Sequence, residues 1–168
     1  MSSIALCIPA YNADWCLPRL LESAKKQRIP FDEIFVYNDC STDNTKIIAE
    51  QYGAVVISGK TNQGCSFGKN KLAEIAHSEW IHFHDADDEL LPDFTQLAQE
   101  WISGKNCPDV ILFDYEYRDN TTLKLFGVRK FDPFKLENSP LLYTLEEQIN
   151  PFCGLYRKES FLFAGVIF

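Results

Sequence analysis

The chain has 168 residues and no apolar run near the roughly 20 residues that a bilayer crossing requires. Its opening, Met1-Ser2-Ser3-Ile4, lacks the basic segment and long apolar stretch of a secretory signal. These features predict a soluble, cytoplasmic protein. Positive charge is scarce: 16 Lys and Arg stand against 24 Asp and Glu, for a net charge of −8. So acidic a surface repels polyanions at long range, which argues against nucleic acid or anionic membrane as a general partner. Peripheral membrane association through a partner stays open. The six cysteines show no Cys-x-x-Cys and no Cys/His pairing at zinc spacing. They read as reduced, mostly buried small hydrophobes. No Gly-x-Gly-x-x-Gly follows the first apolar run, which speaks against a nicotinamide oxidoreductase. An aspartyl phosphatase would carry Asp-x-Asp at its first strand, and none is there.

What is present is alternation. Short apolar runs at Ile4 to Ile8, Ile34 to Tyr37, Ala54 to Ile57, Trp80 to Phe83 and Val110 to Phe113 read as strands. Between them lie helical spacings. Leu17, Leu20, Leu21 and Ala24 repeat at i, i+3, i+4, i+7, as do Phe94, Leu97, Ala98 and Trp101. Ile47, Ile48 and Tyr52 mark a helix closed by Gly53, and Leu72, Ile75 and Ala76 mark another. Asp14 is the expected N-cap of the first helix, with Pro18 in its first turn. The pattern predicts an α/β fold: a mainly parallel twisted sheet with helices on both faces. Parallel strands need long crossovers, and each helix supplies one. Ligands of such sheets bind beyond the carboxyl ends of the strands. Residues 9–12, 38–43 and 84–88 are polar segments at such ends. After residue 115 the periodicity loosens, with a strand expected at Leu123 to Val128, a loop entering a strand at 150–156, and an apolar finish at 161–168. Residues 1–115 therefore read as a ligand-binding α/β region and 116–168 as a further part of the same domain.

Asp85, Asp87 and Asp88 fall within four positions directly after a strand. Carboxylates this crowded ionise together only at a cost, unless a cation sits among them. Mg²⁺ or Mn²⁺, held by one or two carboxylates plus a substrate diphosphate, would meet that cost and let an acidic protein take a phosphorylated ligand. The competing reading is a solvated acidic helix start. Asp39 suits a base N–H or a ribose hydroxyl, or is a turn residue. Tyr11, in Pro9-Ala10-Tyr11-Asn12, is a stacking surface for a base or a core tyrosine at a turn. Lys69, expected at a helix start after Asn62 and Gly64, steadies a phosphate or is a solvated lysine. His84, beside the acidic cluster, reads as an extra ligand and His82 as facing a polar cavity, or each has a structural role.

Taken together these segments resemble the family 2 glycosyltransferases. Ile8-Pro9-Ala10-Tyr11-Asn12 resembles that family's first-strand motif. Asn38-Asp39-Cys40-Ser41-Thr42-Asp43-Asn44-Thr45 is similar to its Asp-Asp-Gly-Ser-Thr-Asp-x-Thr segment. Asn62-Gln63-Gly64 with Lys69-Asn70 resembles Asn-x-Gly-x-x-x-Ala-Arg-Asn, and Phe83-His84-Asp85-Ala86-Asp87-Asp88 resembles Leu-Asp-Ala-Asp-Asp. The resemblance covers residues 4–94 well and the rest loosely. It implies a nucleotide-diphospho-sugar transferase (Rossmann-like) fold, apparently short at its C-terminus, with residues 1–115 binding the donor and 116–168 forming part of the acceptor side. It implies a donor such as a UDP-sugar, Mn²⁺ or Mg²⁺ on the diphosphate, a sugar or glycan acceptor, and inverting transfer. By the same resemblance Pro9, Tyr11 and Asp39 contact the base, Lys69 stands for the family's Arg, and Asp85, Ala86 and Asp87 serve ribose and metal. The departures are Asn38 for Asp, Cys40 for Gly, and Lys69 for Arg, which loses a bidentate fork. Phe152 to Arg157 resembles the surroundings of the family's acceptor loop. No general base is identified; Glu146-Glu147, before that loop, is a poor candidate. The alternative function is a nucleotide-sugar-binding module without transfer.

Overall fold

A computed structural model describes residues 1–105, 107–140, 143 and 149–163 of the chain. Strand β1 (Ile4–Ala10) is buried along its whole length. It pairs in parallel with β2 (Glu33–Asn38) on one side and β4 (Trp80–Phe83) on the other, and β2 pairs in parallel with β3 (Val55–Ser58). A continuous apolar run such as Ile4 to Ile8 is what a strand covered on both faces requires.

Alternation along β1 divides the interior. Ile4, Leu6, Ile8 and Ala10 enter one core, against helices α1 (Leu17–Lys25), α2 (Thr45–Gln51) and α4 (Phe94–Ile102). Ala5 and Cys7 enter the other, with Leu72 and Ala73 of α3 (Cys65–Ile75) and with Phe161. Helices thus lie on both faces of a mainly parallel sheet, as the periodicity implies.

Several local expectations shift. Asp14 does not cap α1; Cys16 holds the N-cap position without a side-chain bond, and Pro18 lies in the first turn as expected. Helix α3 begins at Cys65, which puts Lys69 in its second turn rather than at its start. On α4 the buried positions are Phe94, Thr95, Ala98, Gln99 and Ile102, whereas Leu97 and Trp101 are exposed. The buried polar members of this face find partners on other elements: Thr95 N donates to Gln27 Oε1 at 3.1 Å and Gln99 Nε2 to Ser2 O at 2.6 Å, while Gln99 Oε1 has no hydrogen-bond partner. On α2, Ile47 is likewise exposed and Thr45 buried. All six cysteines are free; Cys7, Cys16 and Cys153 are buried, Cys40 and Cys107 half-buried, and Cys65 exposed.

The largest difference from a simple alternation lies at one sheet edge. Strand β5 (Val110–Leu112) does not pair with β4. Strand β8 (Gly154–Arg157) enters between them, antiparallel to both, so the order is β3-β2-β1-β4-β8-β5. Strands β6 (Tyr115–Arg118) and β7 (Leu125–Arg129) form a separate antiparallel hairpin, followed by α5 (Pro133–Asn138). A short helix, α6 (Lys158–Phe163), follows β8. Glu146 and Glu147 lie outside the described residues, as does the end of the apolar finish, 164–168. Among the described residues no helix is long and apolar enough to cross a membrane.

Candidate functional site

The loops after β1 and β2 are stitched side by side. Asn12 N donates to Ser41 Oγ at 3.0 Å, and Thr42 N donates to Asn12 Oδ1 at 2.9 Å. Ala13 N donates to Thr45 Oγ1 at 2.7 Å and Asp14 N to Asp43 Oδ2 at 3.0 Å. These bonds give the polar Ser-Thr-Asp-x-Thr stretch a local reason to exist: its side chains occupy the donors of the neighbouring loop. Two non-glycine residues take the left-handed region there, Asn12 at φ 47° and Cys40 at φ 61°. Cys40 stands where the related motif has Gly, and a side chain in that conformation costs about 1 kcal/mol.

Asp39 is buried and takes the third loop in hand. Its Oδ1 accepts from Gln63 N at 2.9 Å, and its Oδ2 accepts from Gly64 N at 2.8 Å and Gln63 N at 3.1 Å. Gly64 sits at φ 87°, a conformation that favours glycine. Gly68, one turn into α3, is needed for a different reason. A Cβ there would lie 3.0 Å from both Pro9 Cβ and Tyr37 Cδ1, so its absence lets α3 settle on β1 and β2.

Pro9, Ala10, Tyr11, Asp39, Asn62, Gly64 and Cys65 line one cleft of about 250 Å³. Tyr11 is half exposed at its mouth. Two of these residues, Ala10 and Cys65, carry no signal in the sequence beyond their neighbours in the motifs. The cleft has the size of a small-ligand subsite and sits at the carboxyl ends of β1 and β2.

The acidic segment flanks it. His84 N donates to Cys7 O at 3.0 Å, extending the β1–β4 pairing, so Asp85 emerges close to the level of Pro9. Lys69 is buried and its Nζ lies 3.2 Å from Asp85 Oδ1. Asp87 and Asp88 are exposed at the rim. Asp88 reaches solvent, but the protein atoms packed around its carboxyl desolvate it, and with the carboxylates of Asp87 and Asp85 adding to this its pKa is pushed up to about 6. Crowding of this kind is what a bound cation relieves. Among the described residues no three His, Cys, Asp or Glu side chains form a ready cage. The donor set therefore fits an ion shared with a ligand's own phosphates, which is the usual arrangement for Mg²⁺.

Beneath the acidic segment runs a buried imidazole relay. His82 Nδ1 lies 2.9 Å from Gly154 O, and His82 Nε2 lies 2.9 Å from His84 Nδ1. A carbonyl only accepts, so His82 Nδ1 carries the hydrogen. Burial pushes the His82 pKa down to about 4 and, with His82 and Lys69 nearby, holds His84 well below the usual imidazole range. Both rings are thus neutral near pH 7, and His84 Nδ1 donates to His82. His84 Nε2 is left as a buried lone pair without a hydrogen-bond partner.

A parallel sheet flanked by helices, with its cleft beyond the strand ends and aspartates at the rim, defines a fold of the nucleotide-diphospho-sugar transferase class. Known proteins agree. Residues 5–163 match the family described as Glycosyl transferase family 2. The chain belongs to that family. It is 33% identical over 123 residues to the putative glycosyltransferase EpsH of Bacillus subtilis, covering 70% of this chain and 35% of that protein. It superposes on Staphylococcus aureus TarS 1–349 in complex with UDP at a TM-score of 0.81 and 29% identity, covering 99% of this chain and 50% of that one. The same TarS fragment with UDP-GlcNAc also superposes at 0.81. A Pyrobaculum calidifontis mannosyltransferase in complex with GDP-Man and Mn²⁺ shares the fold at a TM-score of 0.70 and 15% identity, over 98% of this chain and 47% of that one. The chain spans less than half the length of the curated relatives it matches.

Proposed function

We propose that this chain binds a nucleotide-diphosphate sugar, of the UDP type, in the cleft at the carboxyl ends of β1 and β2, and serves its inverting transfer to a hydroxyl of a sugar or glycan. One observation carries the reading: Tyr11 and Asp39, from separate strand ends, line a single cleft, and Asp85 emerges on the same rim. Tyr11 offers its ring to the base. Asp39 spends most of its acceptor capacity on the 62–64 loop, and the remaining lone pair on Oδ1 accepts a base N–H. Lys69 holds Asp85 in place and brings positive charge close to the diphosphate. Asp87, exposed beside it, is the principal carboxylate for the metal, with Asp85 serving the ribose and metal. Ala86 keeps the backbone between them close to the ligand. Mn²⁺ or Mg²⁺, when bound, neutralises the diphosphate and stabilises it as a leaving group. The 29% identity to TarS, a protein seen with UDP and with UDP-GlcNAc, supports the choice of nucleotide.

A donor-binding module without transfer is the second reading, kept because no general base is identified among the described residues. Turnover of a UDP-sugar by this chain would end that reading. For the first, UDP with Mn²⁺ raises the melting temperature, because a ligand selective for the native state adds about 2.7 kcal/mol at a hundredfold excess over Kd. An absent response, or an equal response to ADP, sinks the assignment.

A further inference from the structure

The hairpin β6–β7 carries an aromatic face that the donor site does not use. We propose that this face binds carbohydrate, as the platform on which the acceptor lies; the acceptor role rests on the donor reading above, whereas the binding does not.

Its position comes from the sheet. Strand β8 is antiparallel to both β4 and β5, so β4 and β5 point the same way and end at the same rim. Leu155 pairs with His82 on one side and Ile111 on the other, which sets the end of β5 level with the end of β4. Asp85 lies just past β4 and Tyr115 just past β5. Asp114 Oδ1 accepts from Phe131 N at 2.9 Å and pins the base of the hairpin to that rim.

From there the rings follow one another along the hairpin. Tyr115 meets Phe152 edge-on with centroids 5.2 Å apart, and Tyr117 edge-on at 5.4 Å. Tyr117 stacks with Phe126 at 6.0 Å and an interplanar angle of 26°. The partner of Tyr117 across the strands is Gly127, where an added Cβ would come within 3.4 Å of the Tyr117 ring. The irregularity between Tyr117 and Arg118 lets Phe126 come alongside. Phe126 is 71% exposed and Tyr117 46%. A stacked, exposed pair of this size is costly to leave in water and marks a binding surface.

The chemistry favours a sugar over an aliphatic protein surface. Ring faces carry negative quadrupole charge and suit the C–H face of a pyranose. The phenol oxygens of Tyr115 and Tyr117 lie 3.3 Å apart and offer donors and acceptors to hydroxyls beside that face. The turn of the hairpin reaches back to the acidic rim, where Asn120 O accepts from Arg19 Nη1 at 3.4 Å and Arg19 pairs with Glu89, so a sugar lying on the ladder stays beside that rim.

Saturation-transfer NMR from the protein's aromatic protons tests this, with chitotriose and maltotriose as cyclic probes. Transfer to ring C–H protons of at least one trisaccharide is expected. Phe126→Ser should weaken binding roughly tenfold and Phe126→Trp should restore it. Both variants should keep the melting response to UDP and Mn²⁺, which reads the donor site separately. If the donor response is missing in the unaltered chain while sugar transfer persists, the donor reading fails and the platform stands as a carbohydrate site. No transfer to either trisaccharide at millimolar concentration, equal transfer to Phe126→Ser, or a dimer in sedimentation that Phe126→Ser dissociates would overturn the proposal.

Discussion

The two sides of the carboxyl rim are built differently. On the side of β1 and β2, three loops are tied together by short backbone-to-side-chain bonds, and the buried carboxylate of Asp39 closes the arrangement with Gln63 and Gly64. On the side of β4, Asp87 and Asp88 stand exposed, and Asp88 is pushed toward protonation by its surroundings. The first side is organised before any ligand arrives. On the proposed reading, the exposed carboxylates of the second take their order from the metal and diphosphate that they bind. The lesson is general: a base is recognised by shape and fixed acceptors, whereas a diphosphate needs charge that the protein alone cannot supply without repelling it.

The sharpest way to break this contrast is to cut each side at one carboxylate. Asp39→Ala removes a buried charged acceptor from the N–H groups of Gln63 and Gly64, two exposed loop residues. It should cost about 1.5–3 kcal/mol, the range for hydrogen bonds to a charged group. Chemical denaturation measures that loss, and UDP binding should vanish with it. If stability is unchanged, the first side is not preorganised by Asp39.

Acid should find the floor beneath the second side. His82 has its pKa lowered to about 4 by burial, so the unfolded chain binds a proton that the folded chain refuses between pH 6.5 and 4. Stability from this residue is present above pH 6.5 and is lost as pH falls through that window, by about 3 kcal/mol at pH 4. Comparing melting curves of the chain and of His82→Leu across this range isolates the term. A variant with the same slope would mean that the ring titrates freely.

Packing comes next in size. Gly68→Ala presses a methyl against Pro9 and Tyr37, both 3.0 Å from the ideal Cβ position, and should cost about 1–3 kcal/mol. Because α3 carries Lys69, the same change should displace the Lys69–Asp85 pair and weaken UDP binding. Calorimetric titration reads this effect.

Asp87→Ala should have the smallest effect on stability, within about 0.5 kcal/mol, because the residue is an exposed surface position. Its consequence is for the ligand: the Mn²⁺-dependent part of the melting response to UDP should disappear. A variant that keeps the full metal-dependent response would move the metal site elsewhere. The pair Asp39→Ala and Asp87→Ala thus separates folding from ligand dependence at one rim.

The parallel half of the fold was legible because its signals are local. The Ile4 to Ile8 run, the spacing of Leu17, Leu20, Leu21 and Ala24, and the polar segments 9–12, 38–43 and 84–88 follow from strand and helix periods. Legibility failed where a long-range partner decided. Leu97 and Trp101 fit the helical spacing of α4, but Thr95 N and Gln99 Nε2 bond to Gln27 and Ser2, and the buried face includes these polar residues instead. Lys69 reads as a helix-start residue, yet it lies in the second turn of α3 with its Nζ 3.2 Å from Asp85 Oδ1. Asp14 looked like a cap, and instead its backbone serves Asp43 while its carboxylate accepts from Asn44 N at 3.4 Å.

The chain's own order of residues therefore determined the class of fold, the rim proposed for the ligand and the carboxylates placed at it, since each depends on spacings a few residues long. Tertiary structure alone decided that β8 enters between β4 and β5, that Asp39 spends its oxygens on a loop more than twenty residues away, and that His82 and His84 share one hydrogen-bonded relay. Insertion of an antiparallel strand and pairing of buried polar atoms are settled by which distant groups satisfy one another. No local period records that choice.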